Sequence, residues 1–409
     1  MQMLRSLFSF VTAVLLAGPL SMTAEAEARP IRFLFLGDQG HHKPALRCAQ
    51  LKQAFGTRGI HLYYTEDMKQ LNPGNLARYD GLMVYANIGG LAASQEQAVL
   101  DYVAAGGGYI PVHCASACFG VNPRMIELLG GQFRSHGTGV FRTRIAEAGH
   151  PVMKGFEGFE SWDETYVHHK HNEKGRTVLM VRDAMPGDPH TKPEPWTWVR
   201  TEGKGRVFYT ASGHDQRVWN HPDFQQLIKS GILWAVGDKA KARYEKFLAS
   251  RSPLKYEKRD NVPNYERRPE PLPYQLPLSP EDSMKYTQAP VGFRLELFAA
   301  EPEVINPIYF QWDERGRLWV VESVDYPNEL KPGRKGNDRI KICEDTNGDG
   351  KADKFTVFAD GFNIPTSMVF ARGGVILAHA PEFLFLKDTD GDDKADHREV
   401  LFTGFGVGD

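Results

Sequence analysis

A glycine-rich turn followed by a short apolar run is the feature that most limits the fold of this chain. Residues 106–119 read Gly-Gly-Gly-Tyr-Ile-Pro-Val-His-Cys-Ala-Ser-Ala-Cys-Phe, which indicates a turn, a buried strand and a sharp bend into a new segment. Residues 31–37 and 206–211 also read as buried strands that end in polar residues. Because ligands of an open α/β sheet bind outside the carboxyl ends of its strands, we expect these three strand ends to form one crevice.

The first half of the chain alternates between helical and strand patterns. Residues 44–55 have helical spacing, residues 81–86 form a short apolar run, and Ser94 with Gln97 predicts a capped helix start. This alternation predicts an α/β fold over residues 31–238, with a doubly wound parallel sheet of the flavodoxin type.

Composition and charge narrow the class of partner. The chain has 409 residues, enough for two domains, of which 41% are apolar and 24% are charged, the balance of a globular protein. Its net charge of −2 gives no basis for nucleic-acid binding, so we expect a small neutral or weakly charged substrate. Four cysteines make no disulfide framework in a chain of this size, and we interpret them as free, buried thiols.

The N-terminus has the pattern of a secretory signal. Arg5 precedes an apolar run at 7–16, and small residues favour cleavage after Ala26 or Ala28. The apolar run is short for a membrane span. We therefore predict a signal peptide at residues 1–28, export to the periplasm or the medium, and no transmembrane segment after cleavage.

The order of motifs in the first domain resembles the ThuA-like (trehalose-utilisation) family, a branch of the class I glutamine amidotransferase-like fold. The residues that carry this resemblance are 106–113, Gly130-Gly131-Gln132-Phe133 followed by His136, His150-Pro151, 162–166, and 203–210 followed by Gly213-His214. The resemblance implies a small carbohydrate as the partner. In true glutamine amidotransferases the bend after the central strand carries a nucleophilic Cys, a place that His113 takes here. Cys114 follows, but a shift of one residue turns a side chain to the other face, so glutamine hydrolysis is not expected.

Three histidines and two carboxylates are the candidates for chemistry. His113, His136 and His214 are the ligand type that Zn²⁺ or a similar divalent ion prefers, and Asp163 or Glu164 would be the carboxylate ligand or the general base. Without a metal, His113 would act as general acid and base beside a sugar hydroxyl, with His214 and a carboxylate beside it. The alternative for each histidine is a structural role, held by a backbone hydrogen bond.

Several further residues were weighed as substrate contacts. We expect His41, Tyr166 and Trp219 to contact the substrate, with filling of the core as the alternative use of the tryptophan. His41 and His42 either close the crevice or lie in a solvated loop. We interpret residues 168–171 (His-His-Lys-His) as a polar surface strand.

The remaining sequence predicts a linker and a second, all-β domain. Residues 239–288 are charged and rich in proline, typical of a tether. In residues 289–409 short alternating strands and an acidic motif recur after 43 residues (388 − 345), as in propeller blades. The oxygen spacing of both motifs follows EF-hand logic and predicts Ca²⁺, with exposed acidic turns as the alternative. The predicted ligand positions are Asp345, Asn347, Asp349, Lys351 and Asp353 in the first loop, and Asp388, Asp390, Asp392, Lys394, Asp396 and Glu399 in the second.

This second domain resembles the N-terminal region of membrane-bound dehydrogenases predicted in planctomycetes and verrucomicrobia, which are related to PQQ-type sugar dehydrogenase propellers. The matching residues are 290–293, 300–302, 313–322, 338–340, Pro381-Glu382 and 404–406. The resemblance covers only opening blades, so we expect an incomplete propeller fragment from a longer protein. It implies PQQ only for the complete propeller, and an electron-transfer haem domain further along the full-length protein.

Together these features predict an exported carbohydrate-processing protein, a sugar-modifying enzyme or an oxidoreductase but not a glutamine amidotransferase. Its reaction would be His/carboxylate acid–base chemistry on a sugar or keto-sugar, with a metal as an option. Two alternatives stay open: a non-catalytic sugar-binding module, and PQQ-type sugar dehydrogenase activity carried by the complete propeller.

Overall fold

The structure is a computed structural model that describes residues 28–185, 192–259, 267–270, 272–325 and 336–406. The predicted signal peptide lies outside the described residues except for Ala28. The chain divides into two compact units, Met1–Arg251 and Ser252–Asp409. None of the helices in the described ranges is long and apolar enough to cross a membrane.

The first unit is built on an eight-stranded sheet with the order β2-β1-β3-β4-β12-β11-β10-β7. Its strands are β1 Ile31–Leu36, β2 Ile60–Thr65, β3 Gly81–Val84, β4 Gly108–Pro111, β7 Arg144–Ile145, β10 Arg176–Arg182, β11 Glu194–Glu202 and β12 Gly205–Thr210. The five strands from β2 to β12 are parallel to one another, whereas β12, β11, β10 and β7 pair antiparallel. The prediction of a wholly parallel sheet is therefore wrong for this edge. A tight turn between β11 and β12 leaves no room for the crossover that a parallel pair needs.

Helices cover both faces of this sheet. They are α1 Pro44–Phe55, α2 Pro73–Leu76, α3 Ala93–Ala104, α4 Pro123–Leu129, α5 Gln216–Trp219, α6 Pro222–Ala235 and α7 Gly237–Ala249, with 3₁₀ turns at Gly56–Arg58, Met68–Gln70, His113–Ser116 and Pro151–Met153. Alternate residues of β1 enter separate cores, Phe33 and Phe35 on one face and Leu34 and Leu36 on the other. Both faces of the parallel strands are therefore buried, which explains their nearly continuous apolar sequences.

Two details of these helices differ from the sequence prediction. Helix α3 starts two residues earlier than expected, because Gln95 rather than Gln97 bonds back to the start: its Oε1 accepts from the Ala92 N–H at 3.0 Å. Helix α7 contains the first part of the predicted linker but packs in the first unit, where the Tyr244 hydroxyl donates to Arg58 O at 2.8 Å.

Two small sheets are inserted between α4 and β10. They pair β5 Gln132–Ser135 with β9 Val167–His169, and β6 Thr138–Arg142 with β8 Glu160–Glu164. The second pair places Glu164 at the end of β8, opposite Thr138.

The second unit contains two four-stranded antiparallel sheets. The strands are β15 Pro307–Trp312, β16 Leu318–Glu322, β17 Asp338–Glu344 and β18 Lys354–Phe362 in one sheet, and β19 Pro365–Ala371, β20 Gly374–His379, β21 Glu382–Lys387 and β22 His397–Thr403 in the other. A short β13–β14 pair (Tyr256–Glu257 and Tyr274–Gln275) and helix α8 Pro280–Met284 precede them. Both sheets contribute to one core, to which Trp319 and Leu377 belong. Closure of such sheets into a propeller stays a prediction.

Candidate functional site

Three histidines and one glutamate meet beyond the carboxyl ends of the parallel strands. His42 follows β1, His113 follows β4, His214 follows β12, and Glu164 ends β8. Each can offer one ligand atom, and these four atoms lie within 4.8 Å of one another. The imidazole ring of His42 lies 5.3 Å from the ring of His113 and 5.3 Å from the ring of His214, measured between centroids.

His113 is held in one tautomer by the backbone. Its side chain is fully buried, and its φ of +48° lies in the left-handed region that a non-glycine residue seldom adopts. Nδ1 lies 2.6 Å from Ala211 O; since a carbonyl oxygen only accepts, Nδ1 must carry the proton. In the neutral ring the lone pair of Nε2 then faces Glu164 Oε2 at 3.2 Å, so two acceptors meet. A proton or a cation is needed between them.

The other two imidazoles have buried nitrogens that make no hydrogen bond with any described residue. These atoms are Nε2 of His42 and Nδ1 of His214. His214 Nδ1 lies 3.2 Å from Glu164 Oε1, an ion-pair distance without hydrogen-bond geometry. Buried polar atoms are rarely left unsatisfied, so both nitrogens are available to a water molecule or a cation.

The charges of the cluster are coupled. Burial first, and then the neighbouring imidazoles, lowers the pKa of His42 to about 3, so this ring is neutral and keeps a free lone pair. Burial alone would raise the pKa of Glu164, but its contacts with His113 and His214 outweigh burial and lower that pKa. Glu164 also raises the pKa of His214.

Asp163 and Trp219 support the cluster from behind rather than facing a substrate. Asp163 is buried, and its carboxylate accepts from the backbone N–H of Gly213 at 2.8 Å, of His214 at 3.1 Å and of Glu164 at 2.9 Å. Trp219 has no exposed surface and donates from Nε1 to Gly213 O at 2.7 Å. The prediction that Trp219 stacks on a substrate is corrected, because its ring has no exposed surface. A catalytic role for Asp163 stays a prediction.

The remaining predicted site residues lie around the cluster. Tyr166 is buried and stacks on the His113 ring at 4.2 Å, so it does not offer the substrate surface that we expected. His136 lies outside the four-ligand group; its Nδ1 is 3.1 Å from Gly137 O and 3.6 Å from Glu164 Oε1, and its side chain is 39% exposed. His41 is exposed, with its ring 3.9 Å from that of His42.

For two histidines at or behind the cluster, the sequence did not predict the placement. His42 was weighed against a solvated loop, and no local signal separates it from its neighbour His41. His168 was interpreted as part of a surface strand, yet it is buried and bonded to Glu194 and Tyr209. The strand is short and its neighbouring residues are polar, so the sequence shows no hydrophobic periodicity that would predict this burial.

The two acidic motifs of the second unit occupy equivalent places. Each connects the third and fourth strands of its sheet, β17 to β18 and β21 to β22. In the first, Asp345 accepts from Gly348 N at 2.7 Å and from Gly350 N at 2.8 Å; in the second, Asp388 accepts from Gly391 N at 2.7 Å. Calcium binding at these loops stays a prediction.

The four-residue cluster fits a divalent cation. Ligands about 2.0–2.2 Å from one ion lie roughly 3.3–3.6 Å apart in a tetrahedron. His113 and His214 each lie 3.2 Å from Glu164, through different oxygens, and one ligand atom from each of the four residues lies within 4.8 Å of the others. Three imidazoles and a carboxylate form a nitrogen and oxygen donor set, typical of Zn²⁺ and other first-row divalent ions.

Comparison with solved structures finds proteins described as ThuA-like. One from Parabacteroides merdae is 19% identical, with a TM-score of 0.46 over 51% of this chain and 90% of the other. One from Bacteroides uniformis is 18% identical, with a TM-score of 0.44 over 52% and 94% of the two chains. No curated protein matches the chain. Residues 279–409 match a domain of unknown function, DUF7133, which leaves the dehydrogenase resemblance a prediction.

The first unit matches a family of known description. Residues 32–235 match the family described as Trehalose utilisation, ThuA, which confirms the resemblance that the motifs indicate. This part of the chain is a ThuA-like domain.

Proposed function

We propose that the ThuA-like domain binds a divalent metal ion through His42, His113, Glu164 and His214, and carries out acid–base chemistry on a sugar or keto-sugar beside it. The observation that carries this proposal is the convergence of three imidazole rings on one carboxylate, with one ligand atom from each residue within 4.8 Å of the others. His113 Nε2 faces Glu164 Oε2 at 3.2 Å, and the two other imidazoles each keep a buried nitrogen that bonds to no described residue. One cation at the centre would satisfy all of them.

In this proposal some residues orient the metal ligands and another exchanges a proton with the substrate. Ala211 O fixes the His113 ring, and Asp163 fixes the backbone of His214 and Glu164. His136 turns Nδ1 towards Gly137 O and Glu164, so its Nε2 is left to exchange a proton with substrate. When bound, an ion of this class polarises a substrate oxygen or activates water. The carbohydrate class rests on the family description, Trehalose utilisation.

Metal analysis of the purified full chain tests the metal half of the proposal. We expect close to one Zn²⁺, Mn²⁺ or Co²⁺ ion per chain, counted apart from Ca²⁺. His42→Ala and His214→Ala should lose it, whereas His41→Ala, which changes the adjacent exposed ring, should retain it. No bound metal in the wild type after loading with Zn²⁺, Mn²⁺ or Co²⁺ would contradict the site. Equal loss in His41→Ala would show that the effect is not specific to the four ligands.

Proton exchange tests the chemical half. Trehalose and its singly oxidised keto form are incubated with the protein in D₂O, and ¹H NMR follows exchange at the carbon next to the carbonyl group. We expect exchange of the keto form, slowed about 100-fold or more by His136→Ala with the metal content unchanged. Saturable binding of either sugar without exchange or turnover would support the non-catalytic binding module instead.

Two further parts of the proposal concern the rest of the chain. We propose export, on the signal-like pattern of residues 1–28, and a dehydrogenase-type propeller that begins in the second unit. The two acidic loops would hold Ca²⁺ there, and PQQ would belong only to a complete propeller. The equivalent positions of the loops in two similar sheets support a repeated, blade-like unit.

A further inference from the structure

A network of buried and half-buried polar side chains lies behind the His113 bend and is used by none of the functions above. It begins at Glu194 on β11, whose Oε1 accepts from the His168 N–H at 2.9 Å and lies 2.9 Å from His168 Nδ1. His168 Nε2 lies 2.9 Å from the hydroxyl of Tyr209 on β12. That hydroxyl is 3.0 Å from Ser116 Oγ and 3.2 Å from His113 O.

The network of polar side chains ends at the backbone carbonyl of His113, a proposed metal ligand. Ser116 Oγ donates to His113 O at 3.0 Å, and the Tyr209 hydroxyl oxygen lies 3.2 Å from the same carbonyl oxygen. His113 is the residue with the left-handed backbone at the bend. A conformation of this kind costs free energy and persists only where the surroundings over-determine it.

Donors and acceptors can be assigned along this network. Glu194 is an acceptor, so the Nδ1 of His168 carries the proton that it shares with the carboxylate. Burial lowers the pKa of His168, which leaves its Nε2 as an acceptor for the Tyr209 hydroxyl. Tyr209 therefore donates its one proton to His168 Nε2, and Ser116 donates its own to His113 O. Loss of either hydroxyl leaves a buried polar atom without its partner.

We propose that His168 and Tyr209 are positioning residues, which fix the His113 bend and thereby set the affinity of the four-ligand cluster for its cation. This inference rests on the proposed metal site and adds the residues behind it. Groups that orient metal ligands from behind typically change metal affinity 10–100-fold when they are removed. Tyr209 reaches the cluster only through the His113 backbone, so its effect must come through position.

The test compares two tyrosine variants of the full chain. Tyr209→Phe removes one buried hydroxyl beside His113, and Tyr244→Phe removes one buried hydroxyl that donates to Arg58 O at the far side of the domain. The Kd for Co²⁺ is measured by the visible absorption of the bound ion, and thermal unfolding is measured in parallel. We expect Tyr209→Phe to raise the Kd about 10–100-fold and to alter the Co²⁺ spectrum. Tyr244→Phe should lose stability with the Kd and spectrum of the wild type.

The outcomes separate this inference from the proposed function. A Tyr209→Phe protein with wild-type Kd and spectrum overturns the positioning role and leaves the metal site intact. A wild type that takes up no Co²⁺ overturns the metal site. The positioning role is then decided by crystal structures of both metal-free proteins. A His113 bend unchanged in Tyr209→Phe overturns it, and a bend that leaves the left-handed region supports it.

Discussion

Replacing Asp163 by Asn distinguishes a supporting carboxylate from a catalytic one. The Asp163 Oδ1 atom accepts from two backbone N–H groups and Oδ2 accepts from a third, that of Gly213, at 2.8 Å. An asparagine keeps one oxygen but turns an NH₂ group towards the remaining N–H, so at least one charge-assisted bond is lost and two donors face each other. A hydrogen bond to a charged group contributes about 1.5–3 kcal/mol, and we expect a loss of about 2–4 kcal/mol in the free energy of unfolding. That corresponds to roughly 5–15 °C in the unfolding midpoint of a domain of this size.

Urea unfolding of the full chain, followed by tryptophan fluorescence, measures this loss. Asp215→Asn is the matched control in the same loop. Asp215 caps helix α5 through the Arg217 N–H, a position where asparagine serves equally well, so its stability should change by less than about 0.5 kcal/mol. An Asp163→Asn protein with the midpoint of the wild type, but without activity, would refute the supporting role and restore a catalytic one.

Three other predictions concern stability. Burial, with Arg32 and Arg251 nearby, lowers the pKa of His61 to about 4, below its value when unfolded, so the unfolded chain binds the proton more readily. The free energy of unfolding should therefore fall by about 2 kcal/mol between about pH 7 and about pH 5. Urea titrations of His61→Leu should show a fall that is smaller by that amount. Trp219→Ala should lower the free energy of unfolding by about 3–5 kcal/mol by leaving a cavity; an unchanged urea midpoint would show that the ring does not fill the core. Calcium removal with a chelator should lower the thermal midpoint of the second unit, and Asp345→Ala should make that response smaller, because the second loop remains; identical melting curves with and without Ca²⁺ would exclude both loops as calcium sites.

The sequence was informative where a local pattern determines the structure. The glycine turn, the apolar run and the bend at 106–119 specify a buried strand whose end carries His113, and β1 and β12 end beside it as expected. The antiparallel edge was missed because buried strands have the same composition in either direction, and only the length of the connections separates the two cases.

The composition of the site depended on features that have no local signal. Asp163 and Glu164 are neighbours on β8, so their side chains point to opposite faces, and only the pairing of β8 with β6 decides which faces the histidines. His42 enters the cluster because the chain turns through Lys43, in a left-handed conformation, into helix α1. The burial of His168 depends on Glu194 and Tyr209, both distant in sequence.

Anomalous scattering from a crystal of the protein grown with Zn²⁺ tests the central claim most directly. The account predicts one strong peak at the zinc edge, about 2.0–2.2 Å from a ring nitrogen of each of His42, His113 and His214 and from a carboxylate oxygen of Glu164. An ordered cluster without such a peak, or a peak held by other residues, would contradict it.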